Sequence, residues 1–229
     1  MDDIQQLLVE GKNKEAQNLL QKHFISKGRG SGFGNGALDA YGSFQTLGDL
    51  WIHWKDTSEK FNAYSRVLDL ERALATTSWK RGGTTYVQEA YTSLPGDVLV
   101  LKLSASDKGK ISFSTSLGRK ENAEIRIDGQ QVIMTGQLPN EDQDGMRFAS
   151  LMKIIPEGGE VLIMEDRLEV AAADACWILL VAATDYNIHD FSVRGEDPEQ
   201  QVLHKMERLT DFQPEKSKNQ HLSSYSEYF

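Results

Sequence analysis

Carboxylates are the first place to look for chemistry in this chain, which carries 34 Asp and Glu against 25 Lys and Arg. Two carboxyl groups set across a glycosidic bond can act as general acid and general base, and Asp49, Asp69, Glu71 and Asp185 are the candidates for such a pair. The same residue types also accept hydrogen bonds from turn and loop amides at strand ends, which is the role expected of Asp49, Asp69 and Asp185. The histidines at 23, 53, 189, 204 and 221 include no i,i+4 pair and have no cysteine partner, so their spacing assembles no zinc site. A serine nucleophile elbow and a phosphate-binding loop are absent as well. Cys176 sits among apolar neighbours, which predicts a buried, inert thiol.

Two further motifs carry weaker chemistry. Gly32-x-Gly34-x-x-Ala37 loosely matches a dinucleotide fingerprint, but that motif holds pyrophosphate only between a strand and a following helix, and here a helical pattern precedes it and strands follow. A surface loop is the reading for residues 28–40, and no cofactor is expected. The acids of residues 139–145 lack the spacing and the bidentate Glu of a calcium loop and read as a solvated crossing. Of the four tryptophans, Trp54 and Trp177 lie on apolar faces and belong to the core, whereas Trp51 points outward and is the candidate for stacking on a sugar ring.

The elements that must position these groups are mostly strands. Leu50, Ile52 and Trp54 alternate with Trp51, His53 and Lys55; residues 76–80 and 84–91 flank Arg81-Gly82-Gly83; and Leu99, Leu101 and Leu103 share a face. This succession reads as a meander. Ile111, Phe113, Thr115 and Leu117 then face one way and Ser112, Ser114 and Ser116 the other, and Ile125 and Ile127 lead into an Asp128-Gly129 hairpin turn. Residues 148–155, 161–164 and 167–170 continue the set, and residues 175–183, apolar on both faces, form a central, doubly covered strand. Many short strands with few helices between them give a mainly β fold, an antiparallel β-sandwich.

Helices are confined to the two ends. Ile4, Leu7, Leu8, Ala16, Leu19, Leu20 and Phe24 recur at helical spacing around Gly11, so a helical hairpin with N-cap candidates Asp2 and Asp3 is expected to dock on something. Near the other end Asp197-Pro198 is a helix start, Val202, Met206 and Leu209 form an apolar stripe, and a second piece covers residues 221–229. Three regions follow: residues 1–40 as helical hairpin and Gly-rich loop, 41–193 as the sandwich, and 194–229 as a helical linker.

A formal net charge of −9 repels phosphate backbones and anionic lipid, so neither nucleic acid nor membrane is an expected partner. The longest apolar run, residues 171–183, is broken by Asp174 and falls short of the roughly 20 residues a membrane helix requires. The acidic start, Met1-Asp2-Asp3, does not read as a signal peptide, which leaves the compartment undefined.

Several strings together resemble a known family. Gln45-Thr46-Leu47-Gly48-Asp49-Leu50, Tyr64-x-Arg66-x-Leu68-Asp69-Leu70, Tyr86-x-x-Glu89-x-Tyr91-x-Ser93-x-Pro95, Gly145-Met146-Arg147-Phe148, Pro156-Glu157-Gly158-Gly159 and Ala183-Thr184-Asp185-Tyr186 are similar, in order and spacing, to the N-terminal β-sandwich domain of glycoside hydrolase family 95, the α-L-fucosidases. Thr46 stands where a proline is common, and Gln88 where an arginine is frequent. The resemblance implies a supersandwich-like domain whose parent hydrolyses terminal fucosides with inversion, using carboxylates of an (α/α)6 barrel that has no counterpart in these residues. It implies no catalytic residue and no metal ligand here. Tyr41, Phe44, Gln45, Asp49 and Trp51 are the substrate-proximal or barrel-interface candidates, with the segment 28–49 reaching toward the sugar site. The implied partners are the barrel, in cis or in trans, and a fucosylated glycan; exposed apolar surface would also allow self-association. Members of that family are often secreted or periplasmic. The leading reading is therefore a non-catalytic sandwich domain that packs on a barrel, ahead of a free-standing carbohydrate-binding module and a complete small hydrolase.

Overall fold

A computed structural model describes residues 2–23, 46–55, 60–140, 143–187, 189 and 193–228 of the 229. The chain divides into two compact units: Met1–Thr46, Gln137–Arg147 and Asp185–Gly195 form one, and Leu47–Gly136, Phe148–Thr184 and Glu196–Phe229 the other.

In the first unit, helices α1 (Asp2–Val9) and α2 (Asn13–His23) pack as the expected hairpin, with Gly11 at φ 74° in the turn between them. Ile4 and Ala16 are buried, while Leu8, Val9 and Leu20 are exposed.

The strands fall in the second unit except for the end of β8 and the start of β9; in chain order they are β1 (Asp49–Trp54), β2 (Asn62–Asp69), β3 (Leu74–Arg81), β4 (Thr84–Ser93), β5 (Val98–Ala105), β6 (Ile111–Gly118), β7 (Ala123–Asp128), β8 (Gln131–Asn140), β9 (Gln143–Glu157), β10 (Glu160–Ile163), β11 (Leu168–Ala173) and β12 (Ala175–Thr184). They form a four-stranded sheet, β1-β6-β11-β10, and an eight-stranded sheet, β2-β3-β4-β5-β12-β9-β8-β7. All described registers are antiparallel. The sheets meet through side chains: Trp54 of β1 packs edge-on against Trp79 of β3 at 5.3 Å and Tyr86 of β4 at 5.6 Å, and the Thr115 hydroxyl of β6 donates to Met152 Sδ of β9 at 3.6 Å. The mainly β, antiparallel sandwich expected from the alternation is the fold observed.

The central strand is β12, paired with β5 on one side and β9 on the other. Cys176 and Ile178 lie on one of its faces; Trp177, Leu179, Val181 and Ala183 lie on the other, in a core cluster with Val98, Val100, Leu151, Val202 and Met206. Val202 and Met206 belong to α3 (Pro198–Glu207), so this helix forms a third layer over β12. The Asp197 carboxylate caps α3 by accepting from the Glu199 and Gln200 amides at 3.0 and 3.1 Å, and Pro198 occupies the first turn, as its sequence signature predicts. Helix α4 (Pro214–Ser226) is fixed by Lys218 Nζ to Glu89 at 2.7 Å, by Tyr91 Oη donating to Ser217 at 3.3 Å, and by His221, whose Nε2 lies 3.0 Å from the Arg72 carbonyl.

The structure corrects several sequence readings. β1 does not begin the meander; it pairs with β6 in the other sheet. β2 was not anticipated, because its residues lie almost wholly exposed at a sheet edge and no alternation marks it. The Leu101 and Leu103 face is buried as expected, but Leu99 is surface-exposed and Val98 and Val100 on the opposite face enter the helix-covered core. Residues 139–140 and 143–145, expected in a loop crossing, belong to strands: β8 runs to Asn140 and β9 begins at Gln143. The second C-terminal helix starts at Pro214 rather than at residue 221, since a polar helix with little apolar stripe gives no periodic signal. Trp79 joins Trp177 in the core.

Cys176 is fully buried, and burial pushes its thiol up to about 12. A maleimide or disulfide reagent at pH 8 is expected to leave the native chain unmodified and to label one thiol per chain in denaturant; fast labelling of the folded protein would contradict this.

Candidate functional site

Of the residues singled out from sequence, Tyr41, Phe44 and Gln45, together with the Gly-rich segment 28–40, lie outside the described residues. Asp49 and Trp51 are described and fall on one face of β1. Two residues apart on a strand, they both point away from the sandwich interior, and His53 follows on the same face, while Leu50, Ile52 and Trp54 turn inward and are half-buried. Trp51 is 49% exposed. Its ring lies parallel to that of His53, with centroids 6.0 Å apart and planes within 6°. The indole leans over Gly118, where an added Cβ would come within 3.1 Å of Nε1. The absence of a side chain at 118 is thus what lets the ring rest against the sheet.

Register assembles the rest of this face. Trp51 stands opposite Ser116, and His53 opposite Ser114, which in turn stands opposite Glu169 of β11. His53, Ser114 and Glu169 therefore form a row across three strands. Lys55 Nζ and Arg167 Nε both donate to Glu169, the latter at 3.0 Å, and Arg167 also pairs with Asp166 at 2.9 Å. These contacts, Lys55 first and Arg167 next, hold the Glu169 carboxyl below the usual carboxylate range. Glu169 is thus an anion with its partners already in place. Ser112 is also engaged, accepting from the Ala172 amide at 2.9 Å. Among the described residues no hydrogen bond is made by the Trp51 indole N–H, the His53 ring, or the Ser114 and Ser116 hydroxyls.

Two of the four candidate carboxylates are engaged in structural contacts. Asp69 Oδ1 accepts from the Arg72 amide at 3.0 Å, a turn-capping role that matches expectation. Asp185, in the other unit, is fully buried and spoken for: Oδ1 accepts from the Arg147 amide at 2.9 Å, and Oδ2 accepts from Arg147 Nε at 3.2 Å and Arg194 Nη1 at 2.8 Å. Arg194 Nη1 also donates to the Gly145 carbonyl at 2.8 Å. Two guanidiniums and a main-chain amide converge on both oxygens of one buried carboxylate, so its role is structural. Among the described residues no group of three or more His, Cys, Asp or Glu could hold a metal ion. No described helix is long and apolar enough to cross a membrane.

Sequence reasoning missed two features. Arg147 and Arg194 were not foreseen as the partners of Asp185, although Arg147 lies within one of the resemblance strings. Ser114 and Ser116 were read only as a solvated face, because nothing local shows which residues of β1 and β11 will stand beside them.

Comparison with known proteins gives the family. A model described as the N-terminal domain of glycosyl hydrolase family 65 matches residues 1–189, most of the chain. The chain belongs to this N-terminal domain family. The resemblance to a glycoside hydrolase N-terminal domain is therefore borne out, and the relatives are fucosidases. "Alpha-L-fucosidase 2" of Arabidopsis thaliana is 25% identical over 213 residues, covering 81% of this chain and 25% of that protein. "Probable alpha-fucosidase A" of Aspergillus oryzae is 24% identical over 202 residues, covering 84% of this chain and 28% of that protein. The chain thus spans about a quarter of the length of the curated relatives it matches. Among solved structures, a human-microbiome protein named for kojibiose phosphorylase has a TM-score of 0.53 at 11% identity, over 77% of this chain and 27% of that one. At that identity the likeness is one of fold.

Proposed function

We propose that this chain is the non-catalytic N-terminal domain of an α-L-fucosidase-like glycoside hydrolase of family 95, and that it packs on and helps shape a catalytic barrel supplied in cis or in trans. The observation that carries the reading is the state of the carboxylates. Inverting hydrolysis calls for an acid and a base roughly 6.5 to 9.5 Å apart on either side of the anomeric carbon. Of the described candidates, Asp185 is neutralised by Arg147 and Arg194, and Asp69 caps a turn.

Unspent apolar surface supports a partner. Edge strand β2 and its flanks expose Phe61, Tyr64, Val67, Leu68 and Leu70, each more than half accessible. In this reading residues 1–40 are a hairpin and contact loop, 41–193 the sandwich, and 194–229 the connection toward the barrel. The segment 28–49, with Tyr41, Phe44 and Gln45, lies near the sugar and excludes water or contacts the leaving group. Fucosylated glycans are the substrate class of the assembled enzyme, and neither nucleic acid nor membrane is a partner.

The purified chain is expected to turn over an aryl α-L-fucoside no faster than buffer. Turnover well above buffer that a single Asp or Glu substitution abolishes would overturn the proposal.

A further inference from the structure

We propose that the outer face of the four-stranded sheet is a binding site for a short neutral oligosaccharide, with Trp51 and His53 as the stacking wall and Ser114 and Ser116 as the hydrogen-bonding floor. The site belongs to this chain by itself and does not depend on a barrel.

Three observations meet at this face. First, Trp51 is the most exposed tryptophan, with Trp79 and Trp177 buried and Trp54 turned inward, and its ring is held parallel to His53 at 6.0 Å by strand spacing and by the gap above Gly118. Aromatic faces set rigidly at low entropic cost suit the C–H face of a pyranose. Second, the polar groups beside the rings are uncommitted: the Trp51 N–H, the His53 ring and the Ser114 and Ser116 hydroxyls make no hydrogen bond among the described residues. Hydroxyls that both donate and accept match the hydroxyls of a sugar, whereas Ser112, one step along the same strand face, is already engaged by the Ala172 amide. Third, both cations of the face are paired. Lys55 and Arg167 are matched by Glu169 and Asp166 in one connected set of ion pairs, and the exposed Asp49 and Glu160 on the same face add negative charge, so the face offers no unmatched cation to an anionic sugar.

A protein partner would be expected to bury about 800 Å² on each side around an apolar centre. This face instead sets one aromatic pair among serines and self-paired ions, a composition that fits a small polyhydroxylated ligand. The longer run of exposed apolar residues lies elsewhere, at β2 and its flanks, while on this sheet Leu162, Ile163 and Met164 are exposed only at the β10 edge, three strands from Trp51.

The test uses the whole chain labelled with ¹⁵N, observing the Trp51 indole N–H and the Ser114 and Ser116 amides during titration with 2′-fucosyllactose, lactose and galacturonate. A saturable shift at these positions is expected for at least one of the neutral sugars at concentrations up to about 10 mM, with a weaker response to galacturonate. Trp51→Ala should weaken binding, followed at the serine amides, by about tenfold or more, and His53→Ala by about threefold. Both side chains are exposed, so the variants should retain the native amide spectrum; if either does not fold, Ser116→Asp, which places a charge on the floor, carries the same expectation. Absence of a saturable shift with both neutral sugars, shifts confined to other positions, or binding unchanged in Trp51→Ala would each overturn the proposal. So would protection of Trp51 by a separately supplied hydrolase barrel without any response to sugar, which would make this face a protein interface.

Discussion

Replacing Gly159 by alanine should cost about 3 to 5 kcal/mol of folding stability, enough to leave a domain of this size marginal. Gly159 sits at φ 67°, a region in which an L side chain is strained. An added Cβ there would meet the Ala171 carbonyl oxygen at 2.3 Å, the Ala173 nitrogen at 2.6 Å and the Ala172 carbonyl carbon at 2.7 Å. All three are backbone atoms of β11, which pairs with β10 immediately after this turn, so relief would require parting the two strands. Its neighbour provides the control. Gly158 has a similar φ of 68°, but its added Cβ would meet nothing closer than 3.7 Å, so Gly158→Ala should cost only about 1 kcal/mol of backbone strain. Urea denaturation of the two variants checks the contrast, and equal losses would refute the close-approach explanation.

Asp185→Ala is the second large effect, with an expected loss of about 3 kcal/mol. The substitution removes the acceptor of the Arg147 amide and the anion that two guanidiniums face at 3.2 and 2.8 Å. The arginine side chains are 39% and 31% accessible, so water recovers part of the penalty, which sets the figure at the lower end for a broken buried pair. Asp185→Asn should lose less, since an amide oxygen still accepts from the Arg147 amide although the ionic attraction is gone. Chemical denaturation monitored by circular dichroism reads both. A stable Asp185→Ala variant would remove the argument that this carboxylate is committed to structure and would return it to the list of candidate acids.

Much of the scaffold was legible from local pattern. β6 buries Ile111, Phe113, Thr115 and Leu117 and turns its serines outward because side-chain direction alternates along any strand. The apolar run of β12 needs cover on both sides, and the observed structure supplies it, with the second sheet on one face and α3 on the other. Turn glycines at 82, 83 and 129 adopt the positive φ their hairpins require, and Asp197-Pro198 opens a helix by chemistry contained within four residues.

What the sequence by itself determined was therefore the strand-rich class, most hairpins, the central strand, the outward direction of Trp51 and the turn role of Asp69. Each of these depends on residues close together in the chain. Tertiary structure alone decided which sheet receives β1, that β2 exists at an exposed edge, and which groups become neighbours. Asp185 meets Arg147 across 38 positions and Arg194 across 9, and the row of His53, Ser114 and Glu169 is drawn from three separate strands. No periodicity encodes such meetings, because the register between distant strands is set by the packing of whole faces, and a slip of one residue would send every one of these side chains to the opposite side.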